Sequence, residues 1–231
     1  MGVIINNATN GTPSIVTNGL VLHLDAANPR SYPRSGTTWT DLSGNGNNGT
    51  LTNGPTFNSG NGGSIVFDGV NDYSSFGGFN LSGQNITVNI WIYPTILNQF
   101  KTPITNQIFN GTTTGFAIQQ RTNNTFWMVI GIWGVSSDGI QLIPFNINEW
   151  ICLTMTYGNG IISAYKNGIL FGSTSSTRIF VPGNLIIGAG QRGISEPFNG
   201  RISNCSIYNR ALSEIEVQQN YNALKNRFGL E

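Results

Sequence analysis

Ile86-Thr87-Val88-Asn89-Ile90-Trp91-Ile92-Tyr93 alternates in a way that suits a strand. Val88, Ile90 and Ile92 fall two residues apart, so in an extended chain they share one face and enter a core together. Segments of the same kind recur at 20–25, 64–67, 116–119, 126–132, 151–157, 161–165, 185–188 and 201–208. Gly, Asn and Pro punctuate them. Asn167-Gly168, between Ala164-Tyr165 and Ile169-Leu170-Phe171, predicts a tight hairpin turn with positive φ. About a dozen short strands with regular turns describe an all-β sandwich or barrel. The run from Thr38 to Gly49, rich in Asn and Gly, reads as turn upon turn with no regular element.

The composition agrees. Of 231 residues, 30 are Gly, 31 Asn, 27 Ile and 22 Thr. Charged residues reach only 9%, against roughly 25% in an average domain. Helices need Glu, Lys and Arg to solvate their outer faces, so an all-α fold is excluded, whereas Ile, Thr and aromatics favour strands. A net charge of +1 gives no electrostatic case for nucleic acid or an anionic membrane. No apolar run approaches the about 20 residues of a membrane helix. Met1-Gly2-Val3-Ile4-Ile5-Asn6-Asn7 has neither a basic start nor a long apolar stretch, so no secretory signal is expected. Residues 1–17 read as an arm or edge strand, and 18–231 as one domain.

One segment changes period. Ser213-Glu214-Ile215-Glu216 is a capping box, and Val217, Tyr221, Leu224 and Phe228 follow as one apolar stripe of a short C-terminal helix that Gly229 would end. Arg210 is expected to pair with Glu214 at its start. By alternation Cys205 faces the core with Ile207, while Cys152 points away from Leu153, Met155 and Tyr157, so no disulfide is expected. His23, between Leu22 and Leu24, reads as a partly buried structural imidazole.

The segment Gly63-Ser64-Ile65-Val66-Phe67-Asp68-Gly69-Val70-Asn71-Asp72-Tyr73 resembles the opening motif of laminin-G-like domains of the concanavalin A-like lectin/glucanase superfamily. Residues 86–94, 150–158, 164–168 and 198–213 resemble the family's later blocks, in its order. The resemblance implies a jelly-roll of two antiparallel sheets with Trp91 and Trp150 at core positions. The preceding segment, Leu22 to Leu51, is similar to a narrower subgroup common among virion structural proteins of tailed phages, marine ones especially.

The superfamily includes glycoside hydrolases, whose retaining members need two carboxylates about 5–5.5 Å apart. The family's Glu-x-Asp-x-x-Glu pattern is missing here, and the only alternating pair of acids, Glu214 and Glu216, belongs to the helix cap. No catalytic residue is therefore expected. The resemblance also implies calcium in rim loops, for which Asp68, Asn71 and Asp72 offer oxygens in one turn, with Asp138 as a further candidate. Bracing of the turn by Asp68 and Asp72 is the competing reading. For glycans, Trp127 and Trp133, preceded by Arg121, Asn123 and Asn124, suggest a stacking surface. The reading favoured is a non-catalytic, lectin-like protein on the surface of a phage particle, as capsid decoration, fibre or tail appendage. It would be made in the host cytoplasm, with other virion proteins, a second copy of itself and glycans as partners. A bacterial cell-surface or secreted carbohydrate-binding module and a hydrolase with an unusual acid pair are the alternatives.

Overall fold

The alternation at residues 86–93 becomes the middle of a sandwich. The computed structural model describes residues 13–77, 85–106, 114–132, 136–180, 183–190 and 195–231. In chain order the strands are β1 (Leu20–Asp25), β2 (Thr38–Trp39), β3 (Gly49–Thr52), β4 (Thr56–Asn58), β5 (Ser64–Asp68), β6 (Tyr73–Phe76), β7 (Ile86–Pro94) and β8 (Lys101–Thr105). Then come β9 (Gly115–Gln120), β10 (Thr125–Ile132), β11 (Ser136–Pro144), β12 (Ile151–Gly158), β13 (Ile161–Lys166), β14 (Ile169–Ser175), β15 (Leu185–Ile187) and β16 (Asn199–Tyr208). Helix α1 (Glu214–Leu224) and a 3-10 turn at Lys225–Phe228 close the chain.

The first sheet runs β14-β13-β12-β7-β16-β5-β4, and the second β11-β10-β9-β8-β15-β6-β3-β2. All pairings are antiparallel. The long strand β16 carries β7 on one edge, while β5 and β1 share the other in succession. Between the sheets lie Val88, Ile90 and Ile92 of β7 with Phe116, Ile118, Phe126, Met128 and Cys205. This is the jelly-roll sandwich that the sequence predicts.

The outer face of β7 is buried as well. Trp91 lies in a second cluster with Trp150, Cys152, Tyr221 and Phe228. Its ring stacks on Phe228 at 4.2 Å and on Tyr221 at 5.6 Å. A third cluster joins Val16, Tyr165, Tyr208, Leu212 and Val217. Helix α1 and its terminal turn therefore lid one sheet, and Trp91 belongs to that lid rather than to the space between the sheets. Both cysteines are buried and free, Cys152 in the lid and Cys205 in the main core. Burial pushes the Cys152 thiol up to about 12 and raises Cys205 too.

Residues 14–17, read as part of an arm, pack on α1: the Val16 N–H donates to Asn220 Oδ1 at 2.8 Å and the Ser14 carbonyl accepts from Gln219 at 2.8 Å. Residues 1–12 lie outside those described. The Asn/Gly run 38–49 holds a strand after all. The two-residue β2 pairs with β3 and buries Trp39 completely, too short an element to show a period. The rest of that run wraps Asp41, whose carboxylate accepts from the N–H of His23 at 2.9 Å, of Ser43 at 2.8 Å and of Asn47 at 3.1 Å. The His23 ring meets Ser206 Oγ at 3.0 Å, and burial lowers its pKa, as a structural imidazole requires. Asn167 and Gly168 take φ of 52° and 76°, the expected turn, and a Cβ on Gly168 would come within 2.8 Å of Tyr221.

The capping box forms, but Arg210 pairs with Glu216 rather than Glu214. Its guanidinium grips both Glu216 oxygens at 2.6 and 2.8 Å. Glu216 is already turned back to donor groups of Ser213, so the guanidinium meets a carboxylate held in place. The Arg210 fork and then the Ser213 bonds hold this carboxyl down to about 2 from its ordinary 4.5. Because the folded value is depressed, the stabilisation is complete above pH about 4.5 and is lost as pH falls toward about 2. Urea unfolding of the wild type should weaken over that window more steeply than that of Glu216→Gln; equal slopes would deny the cap this role.

Candidate functional site

The predicted stacking surface is partly assembled. Trp127 lies opposite Gln119, on the outer face of the second sheet, because Phe126, Met128 and Ile130 fill the core from β10. Arg121 follows β9, and its guanidinium lies 4.6 Å from the Trp127 ring and 4.6 Å from that of Phe100. Arg121 and Trp127 do meet, the guanidinium lying over the indole ring. Asn123 is exposed in the β9–β10 turn and accepts from Thr125 Oγ1 at 2.7 Å. Trp133 lies outside the described residues. Nearby, Glu196 accepts from Thr102 at 2.7 Å, and burial raises its carboxyl while it lowers Arg121 and Lys101.

The candidate metal residues do not form one set. Asp68, Asn71 and Asp72 share the turn after β5. Asp68 Oδ1 accepts the Val70 N–H at 2.8 Å and Asp72 Oδ2 accepts the Asp68 N–H at 3.0 Å, so both carboxylates brace the turn. Asp72 Oδ1 is buried and unpartnered, an atom that a cation would suit. Lys101 Nζ already donates to the Gly69 carbonyl of the same turn at 3.2 Å. Asp138 stands on β11, the edge of the other sheet, bound to Arg178 at 3.1 Å and to Ser176 at 2.8 Å. Among the described residues no three acids, histidines or cysteines cluster as ligands. Calcium takes six to eight oxygens, and this turn supplies few of them unaided.

A more complete site opens on the outer face of the first sheet, beside the lid. It is a cleft of about 500 Å³. Its aromatic side is Tyr93, at the end of β7, and Trp150, just before β12, with ring centres 5.4 Å apart. Tyr93 faces outward because Ile92 faces the core, and Arg201 of β16 pairs in register with Tyr93 on the same face. The guanidinium lies 3.7 Å from the Tyr93 ring centre and 5.6 Å from that of Trp150. Trp150 Nε1 donates to Asn61 Oδ1 at 3.0 Å, and Phe228 packs against its ring at 4.6 Å. The rim carries Asn146, Asn148, Glu149, Lys166 and Asn167. The hairpin turn that Asn167-Gly168 specifies therefore also puts an amide on this rim. Glu149 is the one carboxylate side chain among the lining residues.

Sequence reasoning missed this cleft. Its walls come from six separate stretches of chain, and the one local signal was a strand ending in an outward Tyr.

A β-sandwich with a polar, aromatic-sided cleft is the architecture of a lectin-type domain. The chain belongs to the laminin-G-type family of the concanavalin A-like lectin/glucanases superfamily, whose profile matches residues 68–218. No curated protein matches the sequence. Among solved structures the chain is similar to the binding domain of Paraclostridial Mosquitocidal Protein 1, with TM-score 0.71 and 18% identity over 93% of this chain and 56% of that one. It is also similar to domain 4 of AbnA, a GH43 extracellular arabinanase from Geobacillus stearothermophilus solved with arabinotriose, with TM-score 0.70 and 18% identity over 87% and 98% of the two chains. The receptor binding domain of botulinum neurotoxin type G gives 0.69 and 19% over 92% and 54%. The chain thus spans little more than half of the toxin domains that it matches.

Proposed function

We propose that this chain is a non-catalytic, lectin-like domain that binds a glycan in the Tyr93–Trp150–Arg201 cleft. The observation that carries the reading is the cleft's make-up: an aromatic side flanked by amides, a guanidinium, an ammonium and one carboxylate. Small-ligand sites combine an apolar surface with a few placed polar groups in this way. Glycoside hydrolysis asks for a pair of carboxylates, and the cleft lining has one. The arabinotriose complex of the AbnA domain supports a sugar as ligand.

The proposed setting is the surface of a tailed-phage particle, supported by the resemblance of residues 22–51 to virion proteins. Neighbouring virion proteins and a second copy of the chain would be its partners there. Residues 14–17 pack on α1, so deletion of residues 1–12 tests the arm with those contacts kept. Loss of the truncated protein from particles is the expected result, and normal incorporation would deny the arm that role.

A glycan array with the full chain, run with calcium and again with EDTA, tests the binding. The cleft reading predicts signals that persist in EDTA and vanish in Tyr93→Ala. Signals abolished by EDTA would move the site to the Asp68–Asp72 turn and make calcium a cofactor. Signals kept by Tyr93→Ala and lost in Trp127→Ala would move it to the Arg121–Trp127 surface. Silence throughout would remove the glycan reading.

A further inference from the structure

We infer that the sugar taken by this cleft is acidic, carrying a carboxylate; the inference rests on the glycan reading above. Two cations face the cleft without an acidic partner. Among the described residues three ion pairs form, Arg178–Asp138, Arg210–Glu216 and Arg227–Asp25, and neither Arg201 nor Lys166 enters one. Arg201 lies over the Tyr93 ring, 3.7 Å from its centre, and its Nη1 donates to Asn58 Oδ1 at 3.2 Å. A guanidinium whose face is covered by a ring has its edge left to offer. That edge is a fixed fork of N–H donors, the geometry that recognises a planar anion.

Lys166 contributes a point charge from the hairpin on the opposite rim. Its Nζ donates to the Pro144 carbonyl at 2.7 Å, which positions the ammonium and leaves its charge uncompensated. Glu149, the opposing charge, accepts from Asn146 at 3.0 Å, and its second oxygen suits a sugar hydroxyl. One excess positive charge therefore remains, with its most oriented donor set beside the aromatic side. Neutral sugars could use the amides, but they would leave both cations unanswered as water is displaced.

Titration calorimetry of the full chain with matched probes tests this: sialyllactose against lactose, and polygalacturonate against galactan. The acidic member of at least one pair should bind about tenfold tighter at about 0.05 M salt, with the gap narrowing at about 0.3 M as ions screen the charges. Arg201→Gln should remove that preference while leaving the unfolding temperature within a few degrees. Arg201→Lys, which keeps the charge and loses the fork, should fall between. Equal binding of acidic and neutral members, unchanged in Arg201→Gln, would overturn the acidic class and leave the glycan reading standing. No binding by any of the four, together with a silent array, would overturn both.

Discussion

Trp91→Ala should unfold about 3–5 kcal/mol more easily than the wild type in urea, the usual range for deleting a fully buried aromatic side chain. Trp91 has no exposed surface, and it is sandwiched by the lid residues Phe228 and Tyr221. Its removal leaves a void under a short helix and a 3-10 turn, both held down by this cluster. The helix has little stability of its own at 11 residues. The effect should therefore reach the cleft, which borrows Phe228 and Leu230 from the same segment. Ile215→Ala is the matched control: on the same helix its side chain is 78% exposed, and a change within about 0.5 kcal/mol is expected. A loss under about 1 kcal/mol for Trp91→Ala would mean that the lid is dispensable to the sandwich.

Arg227→Ala should cost about 3 kcal/mol, near the low end for breaking a largely desolvated ion pair. Arg227 Nη1 meets Asp25 at 2.8 Å, with both side chains 17% exposed. Nε donates to the Asn61 carbonyl at 2.8 Å and Nη2 to the Gly63 carbonyl at 3.1 Å and to Ser203. One side chain thus ties the C-terminal turn to β1, to the β4–β5 connection and to β16. Its loss strands Asp25 without its cation. The same field reaches His23, whose pKa is lowered chiefly by burial and further by Arg227, while Asp25 raises it. The His23 ring should then titrate at higher pH in Arg227→Ala, seen as a shifted proton resonance of the chain's single histidine. Reduced stability with an unmoved histidine would show that the clamp matters through packing alone.

The sandwich was legible where one face of a strand is apolar and the period is two, as in β7, β10, β12 and β16. It was not legible at β2, where two residues show no period and Trp39 is drawn into the core by pairing with β3. The helix announced itself through Ser213 and Glu216, but the partner of Arg210 followed from where the capping carboxylate points, not from sequence spacing. Trp127 does stand on an outer face, yet nothing in the order of residues says that Arg121 lies across its ring. The turn Asp68–Asp72 could be read as brace or as ligand set; the hydrogen bonds supply the brace, and the open Asp72 oxygen keeps the second role testable. The cleft exists only through tertiary proximity: Arg201 and Tyr93 are neighbours because β16 and β7 pair in one register.

The most direct test of the glycan-binding cleft is the indole N–H region of a ¹H–¹⁵N spectrum, recorded while the strongest array ligand is titrated into the labelled full chain. The chain has five tryptophans, assignable by single Trp→Phe changes. Trp150, bonded through its indole N–H to Asn61 at the cleft wall, should shift in proportion to saturation while Trp127 stays in place. A moving Trp127 signal beside an unmoved Trp150 would put the ligand on the other sheet and contradict the cleft.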